Sequence, residues 1–316
     1  MGRIFVTRGL PGDALSDLAD RHEVVINETD EPVGHERLLE EAKRSDALIV
    51  LLSDPVDEAV VRSGVKCIAT FAVGYDNIDI DAARRHGVAV CNTPDVLTDA
   101  TADLAFGLLL SAARRIPESE VFLREGKFDG WAPSLFLGMP VAGRVLGVVG
   151  AGRIGRAMMM RGRGFGMDVR YCDEGAMPDE EAVAARKQDL DSLLAESDFV
   201  SLHVPLTPTT RHMIDARRLA LMKQTAVLVN TARGPVVDEA ALAEALESGR
   251  LFSAGLDVFE EEPKIHPKLM ELSNVVMTPH TGSATVTARG RMAELCCGAV
   301  DTVLSGGVPP NSVVPP

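Results

Sequence analysis

Three segments in the last third of the 316-residue chain carry side chains suited to acid–base and anion-binding chemistry. Asn230 to Pro235 contains Arg233, Gly255 to Pro263 includes Glu262, and Thr278 to Ser283 contains His280. A guanidinium presents a planar fork of donors that fits a carboxylate. An imidazole gives and takes a proton near neutral pH. A carboxylate at the other ring nitrogen favours the protonated ring. Singly, each has a plainer reading: a surface arginine, a solvated acidic run, a structural histidine beside Pro279. Chemistry needs the three together.

A second signal is the glycine run Gly150, Gly152, Gly155, with Ala151, Arg153 and Ile154 between them. It follows the apolar run Val145–Val149 and opens a helical pattern. Gly150 permits a tight turn, Gly152 lets backbone approach a pyrophosphate, and Gly155 lets helix and strand pack closely. The helix N-terminus then offers unpaired N–H groups to phosphate charge. Asp173 stands 21 residues beyond Gly152, where a carboxylate accepts from ribose hydroxyls. An acid there repels a 2′-phosphate, and Glu174, Gly175 and Ala176 supply no cation. NAD(H) is therefore expected over NADP(H). A structural Gly-rich turn and an ordinary strand-end Asp are the alternative readings.

The elements that must position these groups alternate. Short apolar runs at Ile4–Thr7, Glu23–Ile26, Ala47–Leu52, Cys67–Ala72 and Val88–Cys91 predict five strands, with helical spacing at Asp57–Ser63 and Asp79–His86. A second series runs through Val145–Val149, Asp168–Cys172, Phe199–Val204, Ala226–Asn230, Ala254–Val258 and Val275–Met277. Continuous apolar strands separated by helices imply parallel sheets covered on both faces. Six strands with crossovers match one complete dinucleotide fold. The expected class is α/β, with two doubly wound parallel-sheet domains. Helices at Thr98–Arg115 and Thr285–Leu304 connect them. This places a discontinuous domain at 1–97 plus 285–316 and a dinucleotide-binding domain at 98–284. The Pro-rich end after Gly306 reads as a surface tail.

Composition bounds the rest. With 32 Lys and Arg against 46 Asp and Glu, the formal charge of −14 disfavours a nucleic-acid binder. It leaves a small anionic substrate open, since that needs only local positive potential. The longest apolar stretch, Leu104 to Leu110, is far short of a membrane span, and no signal peptide is read at Met1 to Arg8. Cys67, Cys91, Cys172, Cys296 and Cys297 show no CxxC pair or His-flanked metal spacing, so buried free thiols in a reducing cytoplasm are expected.

Taken together, the motifs resemble the D-isomer-specific 2-hydroxyacid dehydrogenases, and especially their glyoxylate/hydroxypyruvate reductase branch. The resemblance covers nearly the whole chain. It includes Phe71 to Asp79, Val96 to Asp103, the glycine loop, Leu202 to Pro208, and the intervals of 29 (262 − 233) and 18 (280 − 262) residues. It implies a flavodoxin-like substrate domain and a Rossmann coenzyme domain. It gives Arg233 the carboxylate and ketone oxygens, His280 the transferred proton, and Glu262 the support of His280. It further implies substrate contacts at Val73, Gly74 and Ser283. Coenzyme contacts are implied at Thr101, Gly150, Gly152, Arg153, Ile154, Gly155, Asp173, Val204, Pro205, Thr231, Ala232, Asp257 and His280. Structural alternatives remain: Asp257 could cap local backbone, and Ser283 could cap a helix.

Within that resemblance the substrate narrows by elimination. Leu51 to Asp54 lacks the cation of the phosphoglycerate branch, and Val73 stands where the phosphite-oxidising branch carries lysine. Glu262 departs from the formate branch. A small 2-oxo acid such as glyoxylate or hydroxypyruvate remains. The resemblance also implies a homodimer, with the apolar helix Ala102–Ala113 as its element and Trp131 in a loop that can reach a neighbouring subunit; packing of that helix within its own chain, and Trp131 as a core or surface anchor, are the alternative readings. The competing class is an NAD(H)-sensing corepressor, which would need docking segments or long extensions.

Overall fold

A computed structural model describes residues 1–29, 31–175, 177 and 183–316. The chain divides into two compact units, Met1–Leu97 with Ser283–Pro316, and Thr98–Gly282. The later crossing thus falls two residues before the expected one, and Ser283 belongs to the first unit.

The first unit holds β1 (Arg3–Val6), β2 (Glu23–Ile26), β3 (Ala47–Val50), β4 (Cys67–Thr70) and β5 (Ala89–Cys91). They form a sheet in the order β5-β4-β3-β1-β2, all parallel. Alternate side chains enter two cores. Phe5, Leu48, Val50, Ile68 and Val90 pack with Leu38 and Val60, while Ile4, Val6, Ile49 and Ala69 pack with Leu18, Cys296 and Val300. Both faces are therefore covered, as the unbroken apolar strands require. Asp57, Asp79 and Thr285, read as first helical residues, are instead N-caps, each accepting from the backbone N–H three residues on.

The expected surface tail is a strand. β13 (Ser312–Val314) pairs antiparallel with β5, Val314 is buried, and Asn311 Nδ2 donates to the Asn92 carbonyl at 2.6 Å. Flanking prolines suggested a loop, but Pro309, Pro310 and Pro315 lie outside the three-residue strand, and an edge strand tolerates them there.

The second unit is built on β6 (Val145–Val149), β7 (Asp168–Cys172), β8 (Arg186–Lys187), β9 (Phe199–Leu202), β10 (Val227–Asn230), β11 (Ser253–Leu256) and β12 (Val275–Met277). Their order is β12-β11-β10-β9-β6-β7-β8, all parallel. The sequence reading gave six; the seventh, β8, has only two exposed residues and no apolar signature. Strand order reverses between β6 and β9, and ligands bind beside such a switch point at the carboxyl ends of the strands.

Most apolar residues of the helix Thr98–Ala113 pack within their own unit, while Leu104 and Leu110 are only partly buried. Ala102, Ala105, Phe106, Leu108, Leu109, Ala112 and Ala113 are buried, packed with Leu146, Met158 and Val229 of the same unit. The helix ends before Arg115, which takes a left-handed φ of 54°, and Ile116–Arg124 forms a separate helix with no buried residue. The exposed large apolar side chains cluster there instead, at Ile116, Val121, Leu123, Phe128, Leu137 and above all Trp131, 84% exposed.

Candidate active site

The switch point is shaped by glycine. Gly150 leaves β6 with φ +95°, and a β-carbon on it would lie 2.6 Å from the His203 carbonyl oxygen at the end of β9. A β-carbon on Gly155 would sit 1.9 Å from the Gly150 carbonyl oxygen, so helix Arg153–Gly164 closes directly on the turn. Gly152, its N-cap, faces open space, and the residues that follow, Arg153 and Ile154, form the first turn. Asp173 completes the turn: its Oδ2 accepts from Ala151 N at 2.7 Å and its Oδ1 from Gly175 N at 2.8 Å. These features fit a dinucleotide, with a backbone cradle for the pyrophosphate and an acid at the ribose.

A cation distant in sequence lies close to this turn. Lys187 on β8 places Nζ 2.6 Å from the Gly175 carbonyl. Of the three residues that follow Asp173, Ala176 lies outside the described residues.

Val204 is half-buried and Pro205 exposed just beyond β9, and the Pro205 carbonyl accepts from Thr210 Oγ1 at 2.6 Å. His203, which the sequence reading passed over, meets Ser201 Oγ through Nε2 at 2.9 Å. Burial pushes its pKa down to about 4, so the ring is neutral at ordinary pH.

Beyond β10, Asn230 ties the arginine loop to itself. Its Oδ1 accepts from Ala232 N at 3.0 Å and its Nδ2 donates to the Arg233 carbonyl at 2.9 Å. Arg233 Nη1 donates to the Ala232 carbonyl at 2.8 Å. The Thr231 hydroxyl is buried with no partner among the described residues, an orphan that a bound coenzyme would satisfy.

Glu262 and His280 come together: Oε2 lies 2.8 Å from His280 Nδ1. Glu262 Oε1 accepts from Phe259 N at 3.0 Å. Burial pushes the carboxyl pKa upward, but the bond and charge of His280, the Phe259 N–H and the charge of Arg233 outweigh it, so the net shift is downward. The acid therefore stays ionised, one oxygen anchored to backbone and the other to the imidazole. That leaves Nε2 as the ring nitrogen Glu262 does not engage.

His280 itself has a left-handed φ of 51°, uncommon for a non-glycine residue. Buried Asp257 holds the surrounding loop. Its Oδ1 accepts from Thr278 Oγ1 at 2.5 Å and Thr281 N at 2.7 Å, its Oδ2 accepts from Gly282 N at 2.7 Å, and its backbone carbonyl accepts from His280 N at 2.9 Å. The plainer reading of Asp257, a cap for local backbone, is thus what the hydrogen bonds show; Oδ2, with one donor, retains capacity for another. Thr101 is buried beside it, 3.3 Å from the place a β-carbon on Gly282 would take.

Val73, Gly74 and Ser283 belong to the other unit. Val73 is half-buried, its carbonyl accepting from Asn92 Nδ2 at 2.8 Å. Ser283 does not cap the C-terminal helix; that role is Thr285's. Sequence reasoning gave no role to Gly234, Glu239, Glu260 and His212 around these loops. Gly234 lies inside the Arg233 motif and Glu260 inside the acidic run that ends at Glu262, whereas Glu239 and His212 carry no local signal.

The family described as D-isomer specific 2-hydroxyacid dehydrogenase, NAD binding domain, matches residues 106–282. A glyoxylate reductase of Thermococcus litoralis is 47% identical over 98% of this chain and 96% of its own length. A solved structure from Thermus thermophilus superposes with a TM-score of 0.94 at 44% identity, covering 99% of this chain and 100% of that one. The D-lactate dehydrogenase of Aquifex aeolicus, solved with NAD and lactic acid, gives 0.87 at 30% identity, with 99% of each chain covered. The chain belongs to the D-isomer specific 2-hydroxyacid dehydrogenases, NAD-dependent oxidoreductases.

Proposed function

We propose that this enzyme reduces a small unbranched 2-oxo acid, glyoxylate or hydroxypyruvate, preferring NADH. The observation that carries this is the ionised Glu262 held 2.8 Å from His280, with the charge of Arg233 acting on the same acid. NADH supplies the hydride. Arg233 holds the carboxylate and ketone oxygens, His280 Nε2 delivers the proton to the new hydroxyl, and Glu262 stabilises the imidazolium before transfer. In oxidation the same groups run in reverse. Backbone N–H groups at Val73 and Gly74 would receive the carboxylate, giving the first unit the role of substrate domain, and Ser283 would contact substrate. Thr101, Thr231, Ala232, Val204, Pro205 and the free acceptor capacity of Asp257 would face the coenzyme.

The choice of substrate is supported by the glyoxylate reductase of Thermococcus litoralis, at 47% identity. Asp173 supports NADH over NADPH, while Lys187 moderates that preference by placing a cation near the ribose acid. The exposed apolar residues at 116–137 support a homodimer through that segment rather than through the buried helix before it. Five free cysteines, four of them buried, are consistent with a reducing cytoplasm, and no described helix is long and apolar enough to cross a membrane.

The test is NADH and NADPH oxidation against glyoxylate, hydroxypyruvate, pyruvate and bulkier oxo acids. Highest kcat/KM with one of the first two and NADH is expected. A preference for a branched or aromatic acid would overturn the substrate, and a preference for NADPH would overturn the coenzyme.

A further inference from the structure

Glu239 opens the helix Glu239–Glu247 and is buried, an unusual place for a glutamate with no cation beside it in the sequence. Its carboxylate accepts two backbone N–H bonds, Oε2 from Glu260 and Oε1 from His266, both at 2.6 Å. Those two residues bracket the loop that carries Glu262. Within the loop, Lys264 N donates to the Glu261 carbonyl at 2.9 Å. One carboxylate thus pins both ends of the segment that carries the acid facing His280.

The brace has a second part. Glu260 Oε1 lies 2.6 Å from His212 Nε2 and 3.3 Å from Arg211 Nη2, and Glu260 Oε2 accepts from Glu239 N at 3.4 Å. The consecutive N–H groups of Phe259 and Glu260 go to different acids, the first to Glu262 and the second to Glu239. Three glutamates in a row would otherwise repel one another. Here Glu260 is drawn toward His212 and Glu262 toward His280, so the loop is held between two imidazoles.

We propose that Glu239, backed by the Glu260–His212 pair, is a positioning residue for the reaction: it sets the loop so that Glu262 meets His280. This rests on the reading of Glu262 as the acid that supports His280. Charge-assisted bonds to backbone are strong and short, and a misplacement of about 1 Å at a reacting group can cost on the order of 100-fold in rate. Glu239→Gln keeps the shape but turns one acceptor into an NH2 donor facing an N–H, which releases one end of the loop.

The test is a double-mutant cycle of Glu239→Gln with Glu262→Gln. It reads kcat with the most active 2-oxo acid of the panel, and NADH Kd by fluorescence titration. Glu239→Gln is expected to lower kcat by about 10- to 100-fold while NADH Kd stays within about twofold; in the Glu262→Gln background the same change should cost less than about threefold. Equal losses in both backgrounds would show a general structural role and overturn the proposal while sparing Glu262. A wild-type rate in Glu262→Gln alone would remove the underlying reading, and the brace with it. Should Glu239→Gln not fold, His212→Gln at the exposed end of the brace is expected to show the same background dependence at about 3- to 10-fold, and additivity there overturns the proposal equally.

Discussion

Gly234 and Phe259 touch through backbone alone: a β-carbon on Gly234 would lie 1.9 Å from both the carbonyl carbon and the oxygen of Phe259. The loop bearing Arg233 and the loop bearing Glu262 are therefore pressed together with no side chain between them. Substituting Gly234→Ala must separate them. Loss of kcat/KM by about 100-fold or more is expected from misplacement at this distance. Steady-state kinetics decide it, and activity within about threefold of wild type would mean the loops have slack that the contact does not suggest.

The glycine loop allows a sharper contrast. Gly155→Ala drives a β-carbon into the Gly150 carbonyl, whereas Gly152→Ala projects one into open space. The first variant should lose both thermal stability and NADH binding. Gly152→Ala should keep its Tm but weaken NADH by about tenfold or more, because the methyl occupies the path of the pyrophosphate. Unchanged NADH Kd in Gly152→Ala would place the phosphates elsewhere.

His203 predicts a pH dependence of stability. Its folded value is about 4, lowered by burial, against an ordinary value of about 6.5. As pH falls, the unfolded chain binds the proton first, so stability is complete above about pH 6.5 and is lost progressively toward about pH 4. The Tm of the wild type should fall across that window relative to His203→Gln, which carries no such proton. Parallel curves for the two proteins would contradict the assignment.

Deleting residues 307–316 removes the strand that pairs with β5, the buried Val314 and the Asn311–Asn92 bonds. Burial of one valine alone contributes about 1.5–3 kcal/mol, so the truncated protein should melt several degrees lower. A Tm equal to that of the full chain would restore the reading of this segment as a loose tail.

Much of the architecture was legible in advance because it is written locally. Apolar runs such as Ala47–Val50 and Val227–Asn230 are continuous because parallel strands bury both faces. Gly150, Gly152 and Gly155 could be assigned because each answers a backbone requirement within the same short turn. Motif spacing singled out Arg233, Glu262 and His280, and the structure shows Glu262 meeting His280 and lying in the field of Arg233.

What stayed hidden depends on residues distant in sequence. β8 and β13 are too short for a periodic pattern and are strands only because β7 and β5 offer them an edge. The apolar helix Thr98–Ala113 and the exposed stretch after it look equally suited to an interface by composition, and only packing against Leu146 and Met158 assigns the first to the core. Lys187 reaches Gly175 across a strand pair, and Glu239 meets the N–H groups of residues 21 and 27 positions later. Composition and spacing specify dihedrals, periods and side-chain chemistry. Which acid receives which donor is settled by the folding of the chain, since a buried N–H must find an acceptor wherever the backbone happens to bring one.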